Sequence, residues 1–139
     1  MTTHNSIINI KASTQKVFET LTKPELVKLW QFGRLVITDW KVGSEIKFKT
    51  EINGTVIVQW GTVLEIRPNE LIKYNLFTPR PDLEDKKENY SVTSYVLTAN
   101  KDQTQVEIIQ EDNRPNGFAP TTLSPILASL KQITETNNK

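Results

Sequence analysis

The 139-residue chain contains no cysteine, which excludes disulfides, thiolate catalysis and cysteine-ligated metal. Its one histidine, His4, lies in a terminal segment expected to fray, so no triad can be built on a histidine base. Neither a G-x-S-x-G element nor a phosphate-cradling glycine loop is present. Seventeen basic and sixteen acidic residues nearly cancel and are interleaved, so the basic stripe of a nucleic-acid binder is missing. No apolar run approaches ~18 residues, and the opening Met1 to Ser6 lacks a positive region followed by an apolar one, so no membrane insertion is expected. With no repeat and no glycine-serine or proline-rich linker, residues 1–139 read as one soluble, cytoplasmic domain able to bury about two thirds of its unfolded surface.

What is present is strand alternation. Residues 53–77 read as a hairpin, with Thr55 to Ile66, a turn at Arg67-Pro68-Asn69-Glu70, and Leu71 to Phe77. In the first arm Val56, Val58, Trp60, Leu64 and Ile66 share even positions, predicting that this face is the buried one; in the second, Ile72, Tyr74 and Leu76 alternate with Lys73 and Asn75. A first arm of about 12 residues would reach roughly 40 Å, so it must curl around something. Gly61, inside the alternation, predicts a bulge, a bend or close approach by another group.

In chain order, Ile7 to Ile10 reads as a short strand, and Ala12-Ser13-Thr14 as a helix start with a hydroxyl cap. Val17, Phe18 and Leu21 then share a helical face. Pro24 at a first helical position opens a second helix, with Leu26, Leu29 and Trp30 as its expected buried stripe. Leu35 to Trp40 is extended, and a strand from Glu45 to Glu51 leads into Asn53-Gly54, a strong two-residue hairpin signal. The segment from Thr78 to Asn89 holds two prolines and seven charges and reads as a solvated loop or as a lid over a cavity mouth. Two further strands, Tyr90 to Thr98 and Thr104 to Glu111, flank a turn at Ala99 to Gln103. Leu123, Ile126, Leu127, Leu130 and Ile133 form an apolar helical stripe; Pro125 as the first helical residue after a Ser124 cap gives a helix of about 12 residues.

Several of these segments resemble one family. Trp60-Gly61-Thr62-Val63-Leu64-Glu65-Ile66-Arg67-Pro68 with Leu71-Ile72-Lys73-Tyr74, the opening Val17-Phe18-Glu19-Thr20-Leu21-Thr22, Asp39-Trp40-Lys41-Val42-Gly43, and the two last strands are similar to homologues of the activator of heat shock protein 90 ATPase. That group falls in the superfamily of lipid-transfer (START), birch-pollen-allergen-like and polyketide-cyclase-like domains. The resemblance implies an α+β helix-grip fold: a curved antiparallel sheet of about six or seven strands wrapped around a C-terminal helix, with two short helices after the first strand. It also implies an aromatic near the start of the last helix, a place that Phe118 would have to fill.

The resemblance implies three functions. One is a binding domain for a small hydrophobic or amphipathic ligand, held between sheet and C-terminal helix by Trp30, Trp60, Tyr74, Tyr95, Ile126, Leu127 and Leu130. These side chains have ordinary core packing as the alternative role. For Tyr95 both strand faces remain open, because Val92, Ser94 and Val96 compete with Thr93, Tyr95 and Leu97. On this reading Leu127→Trp blocks uptake. The second function is regulation of a chaperone ATPase in a stress response. The third is cyclase- or hydrolase-like catalysis, for which Asp39, Glu65 and Arg80 are the ionisable groups to inspect. The carboxylate pairs Asp39 with Glu45 and Glu107 with Glu111 suit acid-base work on paper, but for the second a solvated strand face is expected. No cofactor and no metal are expected, and the chain is read as a monomer or homodimer.

Overall fold

In the computed structural model, which describes residues 2–31, 33–79, 84–112 and 123–136, seven strands form one antiparallel sheet. They are β1 (Thr2–Ile10), β2 (Leu35–Ile37), β3 (Glu45–Ile52), β4 (Thr55–Arg67), β5 (Leu71–Leu76), β6 (Ser91–Asn100) and β7 (Gln103–Asp112). Their order is β1-β7-β6-β5-β4-β3-β2. Three helices, α1 (Thr14–Thr22), α2 (Pro24–Trp30) and α3 (Leu123–Thr136), pack on one face. The curved sheet grips α3, which lies against β1, α1 and α2. This is the helix-grip fold.

Local chemistry accounts for most boundaries. Ser13 Oγ accepts the Lys16 N–H at 3.2 Å and caps α1. Pro24 opens α2, where its missing donor is not needed. Asn53 and Gly54, both at positive φ (51° and 81°), close the β3–β4 hairpin, as the sequence predicts. Asn69 (φ 65°) and Lys101 (φ 57°) carry the β4–β5 and β6–β7 turns. Helix α3 is longer than expected, 14 residues. Pro125 stands in its first turn, where backbone N–H groups lack intrahelical partners anyway.

Three expectations are corrected. Strand β1 begins at Thr2 rather than Ile7, because its polar first half pairs along β7, Thr2 opposite Asp112 and His4 opposite Gln110; His4 sits in a ladder and not in a frayed end. In α2 the buried positions are Val27 and Trp30, while Leu29 is exposed. In β4 the inward residues are Gly61 and Val63, and Val56 and Leu64 face solvent. The register with β5 shifts by one residue between Val63 and Glu65. That bulge returns Ile66 to the core side. Gly61 itself meets the expectation of close approach. A Cβ there would lie 1.9 Å from the Asn75 carbonyl oxygen.

Between sheet and helices lies the core, with Ile10, Val17, Trp30, Ile46, Phe48, Ile72, Val106, Ile108, Leu127 and Leu130 all essentially inaccessible. Each such side chain contributes roughly 1.5–3 kcal/mol by leaving water. No helix among the described residues is long and apolar enough to cross a membrane.

Candidate functional site

The core does not fill the whole space inside the sheet. Toward the end of the sheet where β5 leaves β4, a partly enclosed cavity of about 270 Å³ remains between the strands, α2 and α3. Alternation decides which side chains reach it. On β6 the buried positions are Ser91, Thr93, Tyr95 and Leu97, which settles the face of Tyr95; Ser91, Thr93 and Tyr95 line the cavity. Tyr74 and Leu76 come from β5, Gln110 from β7 and Ile126 from α3. The wall thus combines aromatic and aliphatic side chains with hydroxyls and amides.

The turn after α2 adds a cation. Gly33 at φ 91°, a conformation open to glycine, closes the helix with a 2.7 Å bond from its N–H to the Lys28 carbonyl. The chain then enters β2 with Arg34 on the same side as the buried Val36. Arg34 Nη1 donates to Gln31 Oε1 at 3.0 Å, Nη2 donates to Gln59 Oε1, and the guanidinium lies 3.9 Å from the centroid of the Phe48 ring. Gln59 in turn donates to Thr78 Oγ1 at 2.7 Å. Phe48 rests 5.6 Å from Tyr74.

Burial pulls the Arg34 guanidinium down from its usual pKa, with the two cavity tyrosines opposing. Burial likewise raises Tyr74, against Arg34 and the hydroxyls of Tyr95 and Thr93. Tyr95 stands well above the ordinary tyrosine value, through burial first and Tyr74 second. Both phenols therefore stay protonated in ordinary buffers. Gln110 Oε1 is buried without a hydrogen-bond partner among the described residues, an arrangement that normally signals a missing donor. No group of histidine, aspartate and glutamate able to hold a metal occurs among the described residues.

With this geometry in hand, comparison with known proteins decides the family. The profile described as Activator of Hsp90 ATPase homolog 1-like protein matches residues 11–134. The chain belongs to that family. The solution structure of a protein from Cytophaga hutchinsonii is 31% identical, with a TM-score of 0.82 over 99% of this chain and 96% of that one. The Aha1 dimer from Colwellia psychrerythraea, solved in solution, has 23% identity and a TM-score of 0.75 over the full length of both chains. A crystal structure from Chromobacterium violaceum has 17% identity and a TM-score of 0.74, over 98% of this chain and 96% of that one. Comparison with curated proteins gives no match.

Within this member of the Hsp90-activator-like family, the residues named from sequence separate into three groups. Tyr74, Tyr95 and Ile126 meet at the cavity. Trp30, Leu127 and Leu130 are core residues. Trp30 packs edge-on against Tyr95 at 6.2 Å and donates its indole N–H to the Thr20 carbonyl at 2.7 Å, which satisfies an end carbonyl of α1. Trp60 stands on the opposite face of the sheet, correcting the expectation that it shares the face of Tyr74. There it contacts Phe77 at 5.3 Å, and Phe77 contacts Tyr90 at 5.5 Å. Asp85 accepts from both the Trp60 indole and the Tyr90 hydroxyl, tying this part of the loop over the outer face.

Of the ionisable candidates, Asp39 is exposed, and Glu65 pairs with Arg67 Nε at 2.8 Å. Arg80 and Phe118 lie outside the described residues. The cavity groups that sequence reasoning missed are Leu76 and the polar Gln31, Arg34, Gln59, Thr78, Ser91, Thr93 and Gln110. Arg34 had one usable signal, its position two residues before Val36 and hence on the same strand face.

Proposed function

We propose that this chain binds a small amphipathic molecule in the cavity between the sheet, α2 and α3. One observation carries the reading: a space of about 270 Å³ inside the grip, left open and lined by both rings and polar groups, where close packing would otherwise leave voids no larger than a water. At roughly 30 Å³ per water, it has room for about nine waters or a ligand of similar bulk. The pattern of apolar walls with a few convergent polar groups is that of a small-molecule site.

The test is native mass spectrometry of freshly purified protein, repeated after denaturation. A retained mass of a few hundred daltons, lost on unfolding and absent from Ile126→Trp, supports the reading. An empty protein that also fails to take up any member of a small amphipathic library overturns it. Ile126 is the residue to enlarge, because Leu127 is sealed in the core and a tryptophan there would overpack it.

Family membership favours a second reading, in which the chain regulates a chaperone ATPase. ATP turnover by a purified Hsp90-type chaperone, measured with and without the protein, tests it; unchanged turnover across saturating concentrations counts against it.

A further inference from the structure

We propose that the cavity is built for a small organic monocarboxylate, with its acid group on Arg34, its apolar body against Tyr74, Leu76 and Ile126, and a hydroxyl or amine hydrogen donated to Gln110 Oε1. This rests on the reading of the cavity as a ligand site and names the chemical class of its occupant.

The first observation is a cation with no ion-pair partner among the described residues. Arg34 is held by two neutral amide oxygens, from Gln31 and Gln59, and by the face of Phe48. Among the described residues no carboxylate forms an ion pair with it and none lines the cavity. Asp112, the buried acid two residues beyond Gln110 on β7, is engaged in interactions of its own. A guanidinium carries five N–H donors in a planar fork, and the two amides engage one on each terminal nitrogen. A charge removed from water calls for a counter-charge, and a planar carboxylate matches that fork.

The second observation is independent. Gln110 is 6% exposed, lines the same cavity, and its Oε1 has no partner among the described residues. An acceptor left alone in a buried wall is satisfied by a donor on the occupant. The tyrosine rings between these two ends supply the flat apolar walls that an aromatic or short aliphatic body requires. Among the described residues Arg34 is the one basic side chain in the lining, which favours a monoanion over a dianionic phosphate. The volume favours a compact acid over a long-chain lipid.

Calorimetric titration with benzoate, benzamide, para-hydroxybenzoate and benzyl phosphate tests the inference on the full chain. Benzoate is expected to bind roughly tenfold or more tighter than benzamide, the difference between charge-assisted and neutral hydrogen bonds. Para-hydroxybenzoate is expected to exceed benzoate. Arg34→Met should bring the benzoate-to-benzamide ratio near one, and Gln110→Leu should erase only the hydroxyl preference. Because each ratio is read within one variant, a partial loss of stability does not imitate the result, and Arg34→Gln provides a second variant if the first folds poorly. Equal binding of acid and amide to the unaltered protein overturns the inference while leaving the cavity reading intact. So does tighter binding of benzyl phosphate, or a ratio that Arg34→Met leaves unchanged. Failure of all four compounds overturns it as well. In that case a native-spectrum adduct lost in Ile126→Trp would show that the cavity reading survives, and no adduct would end both.

Discussion

The Arg34 guanidinium sits over the Phe48 ring at 3.9 Å from its centroid, so a cation from the turn after α2 rests on a ring from the centre of β3. Phe48 is about 1% exposed, and the contact is therefore partly desolvated, where a cation–π pair contributes on the order of 1–2 kcal/mol. Phe48→Leu is expected to lower stability by about 1–2 kcal/mol. Arg34→Met is expected to shift it by less than about 1 kcal/mol in either direction, because a charge with no ion-pair partner among the described residues is exchanged for a shorter apolar chain. The double variant should show a coupling of roughly 0.5–1 kcal/mol. Urea unfolding of the four proteins measures it, and strict additivity would mean that the ring does not hold the cation.

Gly61 marks a close approach of β5 to β4. Its missing side chain allows the Asn75 backbone to approach, and Asn75 Oδ1 accepts the Thr62 N–H at 2.7 Å beside it. With the carbonyl oxygen 1.9 Å from an added Cβ, and backbone rather than a flexible side chain on the other side, Gly61→Ala must displace a strand. A loss of about 1–3 kcal/mol is expected, together with altered exchange of the Thr62 amide. Stability equal to the unaltered protein would show that the two strands can part freely there.

The contrast between fold and site explains what could be read in advance. The Asn53-Gly54 hairpin, the Ser13 cap and the helical stripe around Leu127 are encoded within a few residues, and they place the elements. The face of β4 is not encoded that way, because both parities of the strand carry apolar residues. Val56, Val58 and Trp60 suggest one side; Ile57 and Val63 suggest the other. The bulge between Val63 and Glu65 then changes parity midway, so alternation over the whole strand misleads. The cavity was harder still. Arg34 reaches it only because β2 pairs with β3, Val36 opposite Phe48, and no local pattern announces a pairing over that distance. The face carrying Thr93 stays open in the sequence until Tyr95 is paired with Ile72 and Ile108.

Trp60 offers a direct check of this placement. Since its ring packs on Phe77 across the outer face and its N–H reaches Asp85 at 3.1 Å, Trp60→Phe should leave any cavity binding constant within about twofold. Tyr74→Leu, by contrast, should weaken it roughly tenfold or more. Ligand titrations of the two variants side by side decide the matter. Equal losses in both would place the tryptophan at the site after all.

At the far end of α3, Glu135 Oε2 accepts the Lys11 backbone N–H at 2.9 Å and pairs with Lys131, whose ammonium also donates to the Asn9 carbonyl at 3.0 Å. This clamp joins α3 to the end of β1. The Lys11 N–H foremost, and then Lys131, hold the Glu135 carboxyl below the usual glutamate range. A depressed folded value adds stability above the unfolded glutamate pKa of about 4.3 and loses it as pH falls through the folded value. Because the group is still partly exposed to solvent, which screens the pair, Glu135→Gln should cost less than about 1 kcal/mol at neutral pH. The gap from the unaltered protein should close in acid. Urea midpoints measured between neutral and acid pH follow it, and a gap that widens in acid would contradict the clamp.

The cavity tyrosines set the opposite limit. Tyr74 and Tyr95 both have folded pKa values raised, chiefly by burial. The stability tied to their protons is fully present below the ordinary tyrosine pKa of about 10. Above it the unfolded chain releases phenolic protons that the folded chain keeps, so unfolding becomes more favourable as pH climbs toward the folded values. Stability is therefore expected to fall from about pH 10 upward, with phenolate absorbance appearing together with unfolding rather than before it. Lysines also lose charge in this range, so the comparison that isolates the phenols is with Tyr74→Phe and Tyr95→Phe combined. That variant should keep more of its neutral-pH stability at about pH 11 than the unaltered protein does. Identical alkaline profiles for the two would mean that these hydroxyls titrate as freely in the fold as in the open chain.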